Sequence, residues 1–214
     1  MDTLLKNKFD SIIFDLDGTL WDSTANVAVA WQAVKQQVDY IKDDITQQDV
    51  RGITGLTYTH IFEKLFPYLD DEKRAEFKAM AAKSELDTLN ELGGDLYPAI
   101  QETLQYLSGK YKLFLVSNCQ NGYAETFFKH SKLQHYFLGY QCYGTKGQPK
   151  FENIKDVVSD FNLTAPVYIG DTQSDYEATV KAGVPFIFSA YGFGKVEHGQ
   201  IATVNSLAEL QEIL

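Results

Sequence analysis

Cysteine is scarce in this chain, with only Cys119 and Cys142. Two thiols with no recurring spacing give neither a disulfide framework nor a zinc-ligand pattern, so a reducing compartment is expected. Cations are the minority charge, 19 Lys and Arg against 29 Asp and Glu, leaving a net charge of -10. Nucleic-acid binding draws mainly on Lys and Arg that neutralise phosphates, so no nucleic-acid partner is expected. Long apolar runs are missing too. None approaches the roughly 20 residues that span a bilayer. The opening MDTLLKNKFD has neither a charged-then-apolar leader pattern nor a cleavage site. No membrane partner is expected, and a cytoplasmic location is. The four histidines, His60, His130, His135 and His198, are scattered and suggest no metal site.

What is present is an ordinary globular composition, 44% hydrophobic and 22% charged over 214 residues. That length holds one large domain, or a core with a smaller insertion. Four short apolar runs have the character of buried parallel strands: Ser11 to Phe14, Lys112 to Val116, Pro166 to Ile169 and Val184 to Phe188. Tyr136 to Cys142 is a weaker fifth. Helical patterns lie between them, at Ile100 to Leu107, Ile154 to Phe161, Asp175 to Ala182 and Asn205 to Leu214. Strands alternating with helices predict an α/β fold, a Rossmann-like parallel sheet with helices on both faces. From about Asp22 to Asp95 the rhythm changes. Helical patterns at Ser23 to Val38, Tyr58 to Leu65 and Asp71 to Leu92 follow one another with no convincing strand. The economical reading is a core of residues 1–21 and 96–214 carrying an inserted all-helical cap of residues 22–95.

In an open parallel sheet, ligands bind beyond the carboxyl ends of the strands. The residues just past the apolar runs are Asp15, Asp17 and Thr19, then Ser117 and Asn118, then Gly170, Asp171 and Asp175. Lys146 and Lys150 sit just ahead of the helix that precedes the third run. Four carboxylates on one edge repel one another unless a cation neutralises them. Oxygen-rich, histidine-free surroundings suit Mg²⁺ rather than zinc. A dication, a lysine and a serine or asparagine make a host for a phosphate dianion. One carboxylate can then attack phosphorus to give an aspartyl-phosphate. A second, two residues along and on the same side, can protonate the leaving alkoxide and later deprotonate water. Gly18 lets the chain turn away at once.

These residues carry a resemblance. Asp15-Leu16-Asp17-Gly18-Thr19-Leu20 matches the DxDGT[LV] signature of the haloacid-dehalogenase superfamily, Ser117-Asn118 its second motif, and Gly170-Asp171-Thr172-Gln173-Ser174-Asp175 its GDxxxD motif. Motif order and spacing agree over essentially the whole chain. The chain resembles the branch of phosphoglycolate phosphatases and β-phosphoglucomutases with a helical cap. The resemblance implies that Asp15 is the nucleophile and Asp17 the general acid and base. It implies Mg²⁺ held by the Asp15 side chain, the Asp17 backbone carbonyl and Asp171, with Asp175 in support. Ser117, Asn118 and a lysine would hold the phosphoryl group. The family often has Lys-Pro-x-Pro before a helix, whereas this chain reads GTKGQPKFENIKDVV. Lys150 sits close to the family's usual distance and is favoured, with Lys146 as the alternative.

The expected function is a Mg²⁺-dependent phosphatase acting on a small phosphorylated metabolite, phosphoglycolate-phosphatase-like in type. The alternative is a sugar phosphomutase of the β-phosphoglucomutase type, which uses the same two aspartates. Dehalogenase and phosphonatase branches are disfavoured, because the resemblance leads one to expect no aspartate at the position of Asp17. A phospho-receiver module is typically much shorter and lacks the large insertion. Substrate choice is expected to fall to the cap and to Trp21, with Arg51 in a loop between cap helices able to meet an anionic or hydroxylated substrate. Cys119 reads as a packing residue. A monomer or weak homodimer is expected.

Overall fold

The computed structural model describes residues 5–214; Met1–Leu4, which the sequence reading assigns to the core, lie outside the described residues. In chain order the elements are β1 (Ser11–Phe14), β2 (Trp21–Asp22), α1 (Thr24–Lys35), α2 (Gln47–Arg51), α3 (Tyr58–Leu65), α4 (Asp71–Leu92), β3 (Asp95–Leu96), α5 (Ile100–Ser108), β4 (Lys112–Ser117), α6 (Tyr123–Ser131), β5 (Phe137–Cys142), α7 (Tyr143–Lys146), α8 (Lys150–Asp160), β6 (Pro166–Gly170), α9 (Gln173–Ala182), β7 (Phe186–Ser189), β8 (Ala202–Val204) and α10 (Leu210–Ile213).

Six strands form one parallel sheet in the order β5-β4-β1-β6-β7-β8. β1 lies inside it, with Phe14 opposite Leu115 on one side and Ile169 on the other. All four of its residues are buried. That explains why SIIF does not alternate. Successive side chains point to opposite faces, and both faces are covered. Ile12 and Phe14 pack with Leu104, Leu107 and Phe127 of α5 and α6. Ile13 packs on the other side with Ile154, Val157 and Ala178 of α8 and α9.

The chain leaves this sheet after β1 and returns to it at β4. Between lie α1 to α4, closed at the neck by an antiparallel pair in which Trp21 faces Leu96 and Asp22 faces Asp95. Trp31, Phe62, Phe66 and Phe77 fill the helical layer, with ring centroids 5.2 Å apart for Trp31–Phe62, 6.1 Å for Phe62–Phe77 and 5.2 Å for Phe66–Phe77. Full burial of each such side chain stabilises by about 2 kcal/mol. The 22-residue α4 begins where the Asp70 carboxylate accepts from the Lys73 N–H. Among the described residues no helix is long and apolar enough to cross a membrane.

The structure departs from the sequence reading in several places. The insertion is not free of strand at its ends, because Asp22 and Asp95 pair in the neck. β7 begins at Phe186 rather than Val184, since Pro185 has no N–H to give and instead its carbonyl accepts from Tyr168 N. α8 begins at Lys150 rather than Ile154, with Pro149 at its N-cap. Lys150 therefore stands in the first turn of the helix and not ahead of it. Arg51 ends α2, whose start is fixed by a capping box between Thr46 and Asp49, and so is not a loop residue. The C-terminal helix is broken into a 3₁₀ turn at Leu207–Glu209 and the short α10. The expected pattern also lacks the short α2 and α7, the nine-residue α6 and the three-residue β8.

Candidate active site

Asp15 directly follows β1, and its N–H still bonds the Ile169 carbonyl at 2.8 Å, so the sheet fixes its backbone. Ser117 closes β4 and Gly170 closes β6. The neighbouring strand ends therefore bring Asp15, Ser117 and Asp171 to one edge of the sheet. One carboxylate oxygen from each of Asp15, Asp171 and Asp175 lies within 4.8 Å of the other two, and all three residues are buried. Lys150 reaches into this group from the first turn of α8. Its Nζ donates to Asp15 Oδ1 at 2.8 Å and to Asp175 Oδ1 at 2.6 Å.

Burial pushes the Asp15 carboxyl up to about 7, the Asp175 charge acts in the same direction, and Lys150 opposes both. Asp171 is raised well above the usual carboxylate range, by burial first and then by Asp175 and Asp15. For Lys150, burial alone would favour the neutral amine. The two carboxylates outweigh it and hold the ammonium charged.

One lysine against three buried carboxylates leaves the group short of positive charge, and the donors are all oxygen. These residues fit a hard dication, which prefers oxygen ligands to thiolate or imidazole. Asp171 is aimed by the Phe193 N–H, 2.7 Å from its Oδ2. Gly18, at φ +81°, lies against the same carboxylate, and a Cβ there would collide with it. Asp175 is more committed. Its Oδ2 caps α9 by accepting from Thr172 N at 3.0 Å and Thr172 Oγ1 at 2.6 Å, while Oδ1 holds Lys150.

Asp17 is held differently. Trp21 Nε1, Ser23 Oγ and Tyr123 OH all donate to its Oδ1, at 3.0, 2.9 and 2.7 Å. Its Oδ2 takes none of them. Burial raises its pKa, and the three donors hold the rise back. One oxygen is thus an anchor and the other keeps its acceptor positions open.

Above these residues is a cavity of about 60 Å³ between sheet edge and cap, lined by Asp15, Asp17, Ser117, Asn118 and Lys150 from below. Asn118 Nδ2 donates to the Gly55 carbonyl of the cap at 2.8 Å. Gln120 Nε2 donates to Ala82 O at 3.1 Å and to Glu85 Oε1 at 2.9 Å. Trp21 and Arg51, expected at the substrate pocket, do not line this cavity. Trp21 is fully buried against Tyr123 and Phe127, where its indole orients Asp17. Arg51 is ion-paired with Asp22 at 2.6 Å. Lys146 points away, paired with Asp156 at 2.6 Å. Cys119 lines the cavity.

Two residues at the site escaped the sequence reading. Tyr123 reaches Asp17 across 106 positions, with no local signal. Glu85 had a signal. It falls on the buried stripe Phe77, Ala81, Glu85, Leu89 of α4, and a carboxylate on an apolar stripe is out of place unless it is used.

The family model for haloacid dehalogenase-like hydrolases matches residues 12–189. A phosphoglycolate phosphatase of Aquifex aeolicus is 28% identical over 193 residues, covering 86% of each chain. A pyrophosphatase of Listeria monocytogenes is 27% identical over 191 residues, covering 84% of this chain and 85% of its own. Among solved structures, a haloacid dehalogenase-like family hydrolase from Streptococcus pneumoniae superposes with a TM-score of 0.83 at 21% identity, over 96% of this chain and 98% of that one.

Proposed function

The chain belongs to the haloacid dehalogenase-like hydrolase family, and from that premise we propose that it is a Mg²⁺-dependent phosphatase of small phosphomonoesters, phosphoglycolate-phosphatase-like in mechanism. The observation that carries this is the pair of aspartates after β1. Asp15 is joined to Lys150, and Asp17 is anchored through one oxygen with the other free.

The chemistry follows from that difference. An Asp15 oxygen attacks phosphorus and the P–O ester bond breaks. Asp17 gives its proton to the departing alkoxide, so that a neutral alcohol leaves. Asp17, now a carboxylate, takes a proton from water, whose oxygen bonds phosphorus as the Asp15–phosphorus bond breaks. Inorganic phosphate departs and both carboxyls return to their starting states. Ser117 Oγ, Lys150 Nζ and the backbone N–H of Asn118 donate to the phosphoryl oxygens throughout, the Asn118 side chain being tied to the Gly55 carbonyl. Asp15, Asp171 and the Asp17 backbone carbonyl would hold Mg²⁺, with Asp175 positioning Lys150; a bound dication supplies charge neutralisation for the phosphoryl oxygens.

The names of the curated relatives, phosphoglycolate phosphatase and pyrophosphatase, support a small phosphorylated substrate. Sparse cysteine supports a cytoplasmic protein, and the reading includes a monomer or weak homodimer. The test is release of phosphate from an aryl phosphate. Turnover is expected with Mg²⁺, loss of turnover with chelator, and no turnover in Asp15→Asn. Full activity in Asp15→Asn overturns the mechanism. Interconversion of sugar-phosphate isomers with little free phosphate would replace the hydrolase by a mutase.

A further inference from the structure

Glu85 enters the same cavity from the cap side and has no part in the steps above. It is 3% exposed. Trp31 Nε1 and Tyr58 OH donate to its Oε2 at 2.8 and 3.1 Å, and Gln120 Nε2 donates to Oε1 at 2.9 Å. A carboxylate offers about four acceptor positions, so one on Oε1 is still open. Asn118 Oδ1, on the same cavity, is buried with no hydrogen-bond partner. Two acceptors therefore wait for donors.

Positive charge is missing where an anion would need it. Lys150 is the one cationic side chain lining the cavity among the described residues, and two carboxylates hold it at the phosphoryl end. Arg51, the nearest candidate in sequence, is paired with Asp22 outside the cavity.

Resting on the phosphatase reading, we propose that Glu85 selects the leaving group. The cavity accepts small phosphomonoesters whose other end is a neutral polyol or an amino alcohol, and it rejects esters that carry a second anion. A hydroxyl or ammonium hydrogen meets Glu85 Oε1 and Asn118 Oδ1. Above about pH 7, where Glu85 is ionised, a carboxylate or second phosphate would meet like charge in a site screened from water, where repulsion is strong, and the comparison below is therefore made at pH 8.

The test compares kcat/KM for phosphoethanolamine, glycerol 1-phosphate and phosphoglycolate in the wild-type protein with Mg²⁺, an aryl phosphate serving as the control for turnover. Phosphoethanolamine and glycerol 1-phosphate are expected at least tenfold above phosphoglycolate. In Glu85→Gln the ratio of phosphoglycolate to phosphoethanolamine is expected to rise at least tenfold, mostly through KM. A ratio cancels any loss of folded protein, so a purely structural role for Glu85 would leave it unmoved. Phosphoglycolate as the best substrate, or a ratio unchanged within twofold, overturns the proposal. Failure of every ester, the aryl phosphate included, would instead strike the phosphatase reading. In that event calorimetric titration of Asp15→Asn protein with the same three esters decides. Binding of phosphoethanolamine tighter than phosphoglycolate upholds the selection by Glu85, and the reverse order or equal binding overturns it.

Discussion

Lys150 Nζ lies 2.8 Å from Asp15 Oδ1, and 135 residues of chain separate the two. Both side chains are almost wholly removed from solvent. A buried ion pair is weak evidence of stability, yet removal of one partner is costly, because the other is left charged and dry.

That asymmetry separates the two candidate lysines. Lys150→Ala is expected to lower phosphatase activity more than 100-fold and to cost about 3 kcal/mol of stability, since Asp15 and Asp175 lose their shared cation. Lys146→Ala removes only an exposed pair with Asp156 and should leave both unchanged. Steady-state kinetics and urea unfolding of the two variants decide. Equal effects would refute the assignment of Lys150.

Tyr123→Phe deletes one of the three donors to Asp17 Oδ1. Hydrogen bonds to the ionised form hold a carboxyl pKa down, so losing one raises it. In the proposed mechanism Asp17 must be protonated to release the alcohol. The alkaline limb of the kcat/KM profile should therefore move to higher pH in this variant. A shift to lower pH, or none, would remove Asp17 from the acid role.

Glu85 makes stability depend on pH. Burial lifts its carboxyl from the ordinary 4.5 to about 7, against the pull of Gln120, Trp31 and Tyr58 and with the Asp17 charge adding to the rise. A raised carboxyl favours folding below the unfolded pKa, and that contribution fades as pH climbs through about 7. Relative to wild type, Glu85→Gln should gain stability from pH 5 to pH 8, by on the order of 3 kcal/mol at most. Denaturant unfolding of both proteins at several pH values measures the difference. A constant difference would mean that Glu85 is not buried as described.

Gly18→Ala places a methyl group against the Asp171 carboxylate and holds a non-glycine residue at φ +81°. The backbone alone costs about 1–3 kcal/mol. Wild-type Tm is expected to rise on titration with MgCl₂, as binding to the folded state requires. In Gly18→Ala this rise should shrink sharply. An identical rise would place the cation elsewhere.

Much of this arrangement was readable beforehand, for local reasons. SIIF followed by Asp15 and Asp17 announces a buried strand that ends on chemistry, and β1 has those bounds. Tyr58–Leu65 and Asp71–Leu92 were readable because apolar spacing and, for the latter, the Asp70 cap agree. What was hidden depends on contacts distant in sequence. α6 opens on Gly122 at φ +87°, with no side-chain cap to mark it. β8, at three residues, is too short for any period to show. Arg51 and Trp21 have the right chemistry for a pocket, but their direction was set by Asp22 and by Asp17. Glu85 was visible as an anomaly of pattern, and only its neighbours say what the anomaly is for.

The loop after β4 has two grips. Ser117 and Asn118 line the cavity from the sheet edge, while Asn118 and Gln120 hold cap atoms at Gly55, Ala82 and Glu85. Thermodynamic reciprocity then binds the two ends together. To whatever degree an occupant steadies this loop, it favours the shut cap, and a cap wedged open weakens the occupant by the same factor. Bound phosphate would therefore favour the shut cap, and a variant that loosens either grip of this loop would weaken both at once.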